Sequence, residues 1–354
     1  MSPKTILDEY HYVLSLGVMD RKTIAYIAIF LIIGIGLVIG VWYLQTPRKQ
    51  YTGQPESIII GTTPLEVSGL LFIAQDQGFF ADNGLNATIK MYDAGINTMD
   101  ALYAGNLDVA TASELVFTRN ALNNKKIHGI ASIGKSDFHY IIAWKDKGIF
   151  NISDLKGKKI GVAKDTSAEF YLGRFLQLHG IKMEEITIVN LKPADMVAPI
   201  INGEVDAVST WDPYAYQVEN RLGVNATIWA DQSGQLMYWM AICRDDLITN
   251  RPELIERFLR ALNQAEDFAV MHPDEARKII QKRFGSDDAY MERVTPKTQL
   301  TLSLDQSLII ASEDESRWLI KNNLTDKKEV PVFLDYIYQD GLNAVRPAAV
   351  NIIR

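Results

Sequence analysis

The chain contains one cysteine, Cys243, among 354 residues. A single thiol excludes an internal disulfide framework, a cysteine-rich zinc site and an iron–sulfur cluster. It leaves the compartment open, because many exported proteins carry no disulfide. Basic runs are scarce as well. The formal net charge is -7, and without clustered Lys and Arg to neutralise phosphates a nucleic-acid partner is disfavoured. The histidines, His11, His128, His139, His179 and His272, show no spacing that suits a shared metal or a catalytic base. Neither a P-loop nor a dinucleotide-binding fingerprint occurs, and no short-period repeat is visible. No metal, cofactor or catalytic residue is therefore expected.

Charge is missing altogether from residues 23–44, TIAYIAIFLIIGIGLVIGVWYL. As a helix rising 1.5 Å per residue this run spans about 33 Å, enough to cross a hydrocarbon core of roughly 30 Å. Trp42 and Tyr43 stand at one end, where amphipathic rings favour the interface. The run is longer than the apolar core of a signal peptide, starts late, and is not followed by a small-x-small cleavage site. The pattern predicts an uncleaved single-pass anchor in the cell membrane, preceded by a short cytoplasmic segment, residues 1–22. Flanking charge is nearly balanced, Arg21 and Lys22 against Arg48 and Lys49, so the positive-inside rule does not set the orientation. Gly36 and Gly40 form a small-xxx-small pair, which offers a seam for an anchor-mediated dimer. Residues 45–56, polar and carrying two prolines, read as a linker.

Beyond the linker, strand-like and helix-like stretches alternate. Residues 57–61 are an apolar run closed by Gly61, and 68–77 carry apolar residues at helical spacing. Further strands are predicted at 87–92, 107–111, 127–133 and 140–144, with helices over 97–104 and from Glu114. A second series starts at 158–163. It continues with strands at 186–190, 205–210, 227–230 and 236–242, and helices at 167–179 and 194–201. After Asp245 the pattern is almost wholly helical, with Pro252 and Pro273 at N1-type positions. Such alternation predicts sheets with parallel strands and helices on both faces, and two series predict two lobes.

Several short elements recur in a telling order. They are Gln77, Gly78, Phe79 and Phe80 followed by Asn83, Gly84 and Leu85; Tyr92 to Gly95 with the run Ala101 to Asp108; and the stretch Asp154 to Val162. Gly203 to Ala207 then leads into Trp211, Asp212 and Pro213, and the tail holds Leu302 to Gln306 and Trp318. Together they resemble the type II periplasmic binding proteins of ABC importers, specifically those for sulfonates, taurine, nitrate and thiamine-precursor pyrimidines. The resemblance covers about 300 residues, from Ile58 to Ile353. It implies a two-lobed α/β fold, here with a single N-terminal transmembrane helix. Lobe 1 is placed at 57–144 plus 245–354 and lobe 2 at 145–244, with crossings near 144–151 and 242–245.

In open α/β sheets ligands sit beyond the carboxyl ends of strands, where helix N-termini offer unpaired N–H groups. Candidate ligand contacts therefore fall at the strand-to-helix junctions: Thr62, Thr63 and Ser68; Asn97; Ser113; Thr166, Ser167 and Glu169; Trp211 and Asp212. Gln235 is added from a strand returning toward the crossing, which also carries Tyr238 and Trp239. Helix capping is the ordinary alternative for the Ser, Thr and Asn positions, and core packing is the alternative for Trp211. Asp212 suits either an ammonium partner or a cap for the helix starting at Pro213. Lys135 and His139 read as solvated, and Gly61 and Gly95 as turn residues. Four carboxylates near the cleft, Glu66, Glu114, Glu169 and Asp212, would repel a small naked anion. That balance tilts toward a zwitterion, an amine or a nitrogen heterocycle stacked on Trp211.

The implied function is capture of a small polar organic solute between two lobes by hinge closure, followed by delivery to an ABC permease. The binding domain is expected on the extracytoplasmic side, without enzymatic activity. A ligand-sensing domain signalling to a cytoplasmic partner is the first alternative, and residues 1–22 are too few for an output domain. A pyrimidine-synthase-like enzyme of the same fold is the second, and its cysteine-rich motif is absent.

Overall fold

The computed structural model describes residues 51–353 and, before them, Tyr26 alone. Apart from Tyr26, the expected anchor at 23–44 with its Gly36–Gly40 seam lies outside the described residues, as do residues 1–22. Among the described residues no helix is long and apolar enough to cross a membrane.

The strands are β1 (Glu56–Thr62), β2 (Leu85–Met91), β3 (Val109–Ser113), β4 (Ile127–Ser136), β5 (His139–Trp144) and β6 (Lys159–Val162). They continue with β7 (Thr187–Asn190), β8 (Ala207–Trp211), β9 (Ala226–Ala230), β10 (Met237–Arg244) and the short β11 (Thr298–Gln299). The helices that position the site are α1 (Gly69–Asp76), α2 (Gly95–Tyr103), α3 (Glu114–Leu122), α4 (Ser167–Leu178) and α5 (Tyr214–Leu222). The helical tail supplies α6 (Pro252–Met271), α7 (Pro273–Phe284), α8 (Asp288–Val294) and α9 (Gln306–Lys321).

Two sheets form, ordered β2-β1-β3-β10-β4-β11 and β7-β6-β8-β5-β9. In the first, β1 runs parallel to β2 and β3, whereas β10 is antiparallel to β3 and β4. The second repeats this plan: β6 is parallel to β7 and β8, and β5 is antiparallel to β8 and β9. Each sheet therefore receives one antiparallel strand from chain that has just left the other. The passages between sheets fall at residues 137–138 and 231–236, not near 144–151 and 242–245. Strand 139–144 belongs to the second sheet and 237–244 to the first, and periodicity, which is local, could not assign either.

Burial follows from composition. In β3 every residue of VATAS is buried, and its small side chains let α2 lie close. A Cβ on Gly95 would come 2.8 Å from that of Ala112, so Gly95 serves close approach and not, as expected, a turn. In α6, Leu254, Ile255, Phe258, Leu259, Leu262 and Ala265 are buried at helical spacing, and each such Leu, Ile or Phe contributes about 1.5–3 kcal/mol. Pro252 and Pro273 occupy the first helical turns of α6 and α7, where the missing N–H costs nothing.

The tail also braces the second sheet's helix. Trp318 of α9 packs edge-on against Phe170 of α4 at 5.3 Å between ring centroids. A Cβ added at Gly173 would overlap the Trp318 ring. Gly173→Ala is expected to cost about 1–3 kcal/mol of stability through overpacking, read as a lower urea midpoint. An unchanged midpoint would mean that the indole yields freely.

Candidate functional site

The carboxyl ends of β1, β3, β6 and β8 and the start of β5 face a common cleft between the sheets. The first sheet's side contributes Thr63, Leu65, Ala94, Gly95, Ser113 and Val116, with Met237 and Trp239 from β10. From the other side come Phe138, His139, Thr166, Ser167 and Trp211, and Asp93 also lines the space. Register sets the aromatic pairings, since His139 lies opposite Trp211 and Trp239 opposite Ser113. The free volume is about 20 Å³, close to the ~10–15 Å³ that one water centre needs.

Three helices begin at this cleft: α2 after Ala94, α3 after Ser113 and α4 after Thr166. None of these residues uses its side chain to cap its own helix. The Glu114 N–H of α3 is taken by its own carboxyl, and the Asn97 and Glu169 amides bond back to Ala94 and Thr166. The amides at the very start of α2 and α4 are therefore the ones left for other acceptors. Four buried polar atoms on the lining lack a partner among the described residues: Thr63 Oγ1, His139 Nδ1, Trp211 Nε1 and Trp239 Nε1. The residues carrying them are at most 6 % exposed. An indole N–H can only donate, and a buried donor left unpaired costs about 1–3 kcal/mol. His139 Nε2 lies 3.1 Å from Ser167 Oγ, and burial pushes the imidazole pKa down to about 3, which keeps the ring neutral. Among the described residues no Lys or Arg lines the cleft, and Asp93 is the carboxylate that does.

Of the residues expected at the site, Thr63, Ser113, Thr166, Ser167 and Trp211 lie on this lining. The others have different work. Thr62 Oγ1 bonds Ser68 Oγ at 2.8 Å and accepts from Thr111 Oγ1 at 2.7 Å, a buried hydroxyl chain beneath the loop. Asn97 is exposed. Gln235 is half-buried, and its carbonyl accepts from Gln232. Glu169 accepts the Asp165 N–H at 3.0 Å, closing the turn before α4. Asp212 accepts the Tyr216 N–H at 3.1 Å and pairs with Arg293 at 2.8 Å.

The carboxylate repulsion expected from the sequence does not arise at the cleft. Glu66 accepts the Tyr290 hydroxyl. Glu114 accepts Tyr171 Oη and the Tyr238 N–H, and burial pushes its pKa up to about 8. Neither these two nor Glu169 and Asp212 are among the lining residues. Each is consumed by a structural bond, which residue type alone does not show.

Sequence reasoning passed over His139, read as solvated but 1 % exposed, because the crossing was placed at least six residues too late. It also missed Gln232, which is fully buried. Its Oε1 accepts the His139 N–H at 3.0 Å, and its Nε2 donates to the carbonyls of Ser136 and Gln235. One side chain thus ties both passages between the sheets. An uncharged Gln beside a Gly-containing turn carries no sequence signal for that role.

The exchanged-strand, two-lobed α/β architecture with a cleft at its helix N-termini defines a binding-protein fold. The NMT1/THI5-like family model matches residues 67–276, and the chain belongs to that family. A putative binding protein of Brucella abortus is 28% identical over 226 residues, covering 62% of this chain and 69% of that protein. A putative aliphatic sulfonates-binding protein of Bacillus subtilis is 25% identical over 265 residues, covering 73% and 80%. Among solved structures, the alkanesulfonate-binding protein SsuA from Xanthomonas axonopodis pv. citri superposes with a TM-score of 0.70 at 21% identity, over 81% of this chain and 100% of that one. The desulfurization enzyme DSZB shares the fold at a TM-score of 0.60 and 16% identity, over 83% and 99%.

Proposed function

We propose that the chain is the solute-binding component of an ABC importer, held at the outer face of the membrane by residues 23–44. In this reading it captures a small organic anion of the sulfonate class in the interlobe cleft. The observation that carries it is the pair of buried N–H donors on the lining without a partner among the described residues, Trp211 Nε1 and Trp239 Nε1, with His139 Nδ1 as a third donor in one tautomer, beside the N-termini of α2 and α4. Sulfonate oxygens are acceptors only, so they satisfy N–H donors without requiring a cation. A relative named for aliphatic sulfonates supports the same class. Asp93 at the cleft edge favours a solute whose far end is an ammonium or neutral, as in an aminosulfonate.

The free volume of about 20 Å³ is too small for such a solute, so the lobes must part to admit it and close again on it. Closure is then stabilised by the ligand's higher affinity for the closed form. Delivery to a permease follows as the output.

The Ser167–His139 contact has the spacing of a nucleophile and its base, which favours hydrolysis as a second reading. A ring with its pKa near 3 is too weak a base to activate a hydroxyl at neutral pH, and the partner that would orient it is lacking at Nδ1.

A thermal-shift screen of the full chain with taurine, ethanesulfonate, nitrate and a hydroxymethyl pyrimidine tests the class. A solute at 100 times its Kd adds about 2.7 kcal/mol. Trp211→Phe keeps the ring and removes the donor, so sulfonate affinity is expected to fall by about 1–2 kcal/mol, roughly tenfold. A calorimetric Kd equal to that of the unaltered chain would remove Trp211 from the site.

A further inference from the structure

A second cavity, of about 220 Å³, lies apart from the cleft, between the loop after β1 and helices α7 and α8. Ala276, Ile280, Met291 and Leu300 give it apolar walls, and Thr295, Thr298 and two charged groups, Glu66 and Arg277, break them. Glu66 is 3 % exposed. Its carboxyl accepts the Tyr290 hydroxyl at 2.9 Å and its own backbone N–H. No Lys, Arg or His forms an ion pair with it among the described residues. Arg277, on the same wall, has its Nε buried without a partner among the described residues.

A carboxyl removed from water, with hydrogen bonds but no cation, is the arrangement that burial penalises most. An ammonium group entering the cavity offsets that penalty directly. The volume exceeds the ~150 Å³ of an engineered apolar cavity that holds benzene, so a tail of about six carbons fits beside the head group. From this complementarity we infer that the cavity is a second ligand site, taking a small alkylammonium with its head on Glu66 and its tail between Ile280, Met291 and Leu300. The site stands independently of the solute bound in the cleft.

Burial holds the Glu66 pKa at about 7, and the Asp212 charge raises it further against the Tyr290 bond. Tyr290 of α8 and the charge of Asp212 bear on its ionisation, and Arg277 of α7 lines the same cavity. An ammonium binds the ionised form. The experiment is calorimetric titration of the full chain with n-hexylammonium chloride, with n-hexanol as the uncharged probe and detergent blanks subtracted. Saturable hexylammonium binding is expected, roughly tenfold tighter at pH 8 than at pH 6 as the carboxyl ionises. Hexanol is expected to bind at least tenfold more weakly at pH 8. Glu66→Gln, which keeps the Tyr290 contact, should abolish the pH dependence and most of the binding. Ile280→Trp, which fills the cavity while leaving the Glu66 side chain in the sequence, should abolish binding as well. No saturation at either pH overturns the site. So does equal binding of hexanol and hexylammonium that survives Glu66→Gln, which would leave an apolar hollow and nothing more.

Discussion

Arg293→Ala is expected to lower the folding free energy by about 3–5 kcal/mol, the usual cost of leaving one partner of a buried ion pair behind. Arg293 of α8 donates to Asp212 Oδ2 at 2.8 Å and also pairs with Glu219 of α5. Its guanidinium lies over the rings of Tyr140 and Tyr216, 4.7 and 5.6 Å from their centroids. The Asp212 side chain is 0 % exposed, so alanine at 293 strands it in a site where water cannot replace the lost charge. Burial already raises the Asp212 pKa, with Arg293 opposing the rise. Urea unfolding at pH 7 measures the loss, and adding Asp212→Asn to Arg293→Ala should recover part of it by removing the stranded charge. A loss below about 1 kcal/mol would place the pair in the class of solvent-screened surface contacts. The same contact bears on function, because Asp212 follows Trp211 on the cleft and is held by a helix from the far end of the sequence.

Glu114→Gln is expected to gain stability over the unaltered chain as pH rises. Glu114 is completely buried at the start of α3, between Tyr171 of α4, the Tyr238 amide of β10 and Glu315 of α9. Glu315 accepts from Thr118 through Oε2, while its Oε1 is buried without a partner. No Lys or Arg ion-pairs with either carboxyl among the described residues, so burial holds both pKa values up, Glu114 at about 8 and Glu315 well above its usual range.

A carboxyl with a raised native pKa binds its proton more tightly in the folded chain. Its contribution is fully present below pH 4.5, the ordinary glutamate value, and is lost as pH rises through about 8. At ~1.36 kcal/mol per unit, that shift corresponds to about 4–5 kcal/mol. Glutamine never ionises and accepts the same Tyr238 N–H. The gap between variant and unaltered chain should therefore widen by several kcal/mol between pH 5 and pH 8.5 in urea titrations. An equal gap at both values would mean that water or a cation reaches Glu114 in the fold.

Legibility in the sequence differed sharply between elements and partners. The apolar run at 57–61 became β1, and the stretches at 158–163, 205–210 and 236–242 became β6, β8 and β10 within a few residues. Each is bounded by Gly, Pro or polar residues and buried on both faces, so its signal is confined to a window of about six residues. The strand β11, of two residues, has no period to detect. At the site, Thr63, Ser113, Thr166, Ser167 and Trp211 were legible because strand-to-helix junctions are themselves local features. Glu169 and Asp212 fall off the lining, for the opposite reason. A carboxylate at a junction looks the same whether it faces a ligand or bonds its own turn, and Arg293, 81 residues away, decided the matter for Asp212.

Composition and spacing by themselves determined the alternation of strands and helices, the restart of the helical tail at Pro273, and a charge-free run long enough to span a bilayer. They also determined that the single cysteine, Cys243, can form neither a disulfide within this chain nor a cysteine-rich metal site. Only the tertiary structure decided that β5 and β10 change sheets, that Gln232 ties both passages, and that four carboxyl groups are taken up by bonds within the fold. The division has one physical cause. Side-chain period and turn chemistry act over a few residues along the chain, whereas strand pairing, burial of charge and the partnering of donors depend on residues brought together from its distant parts.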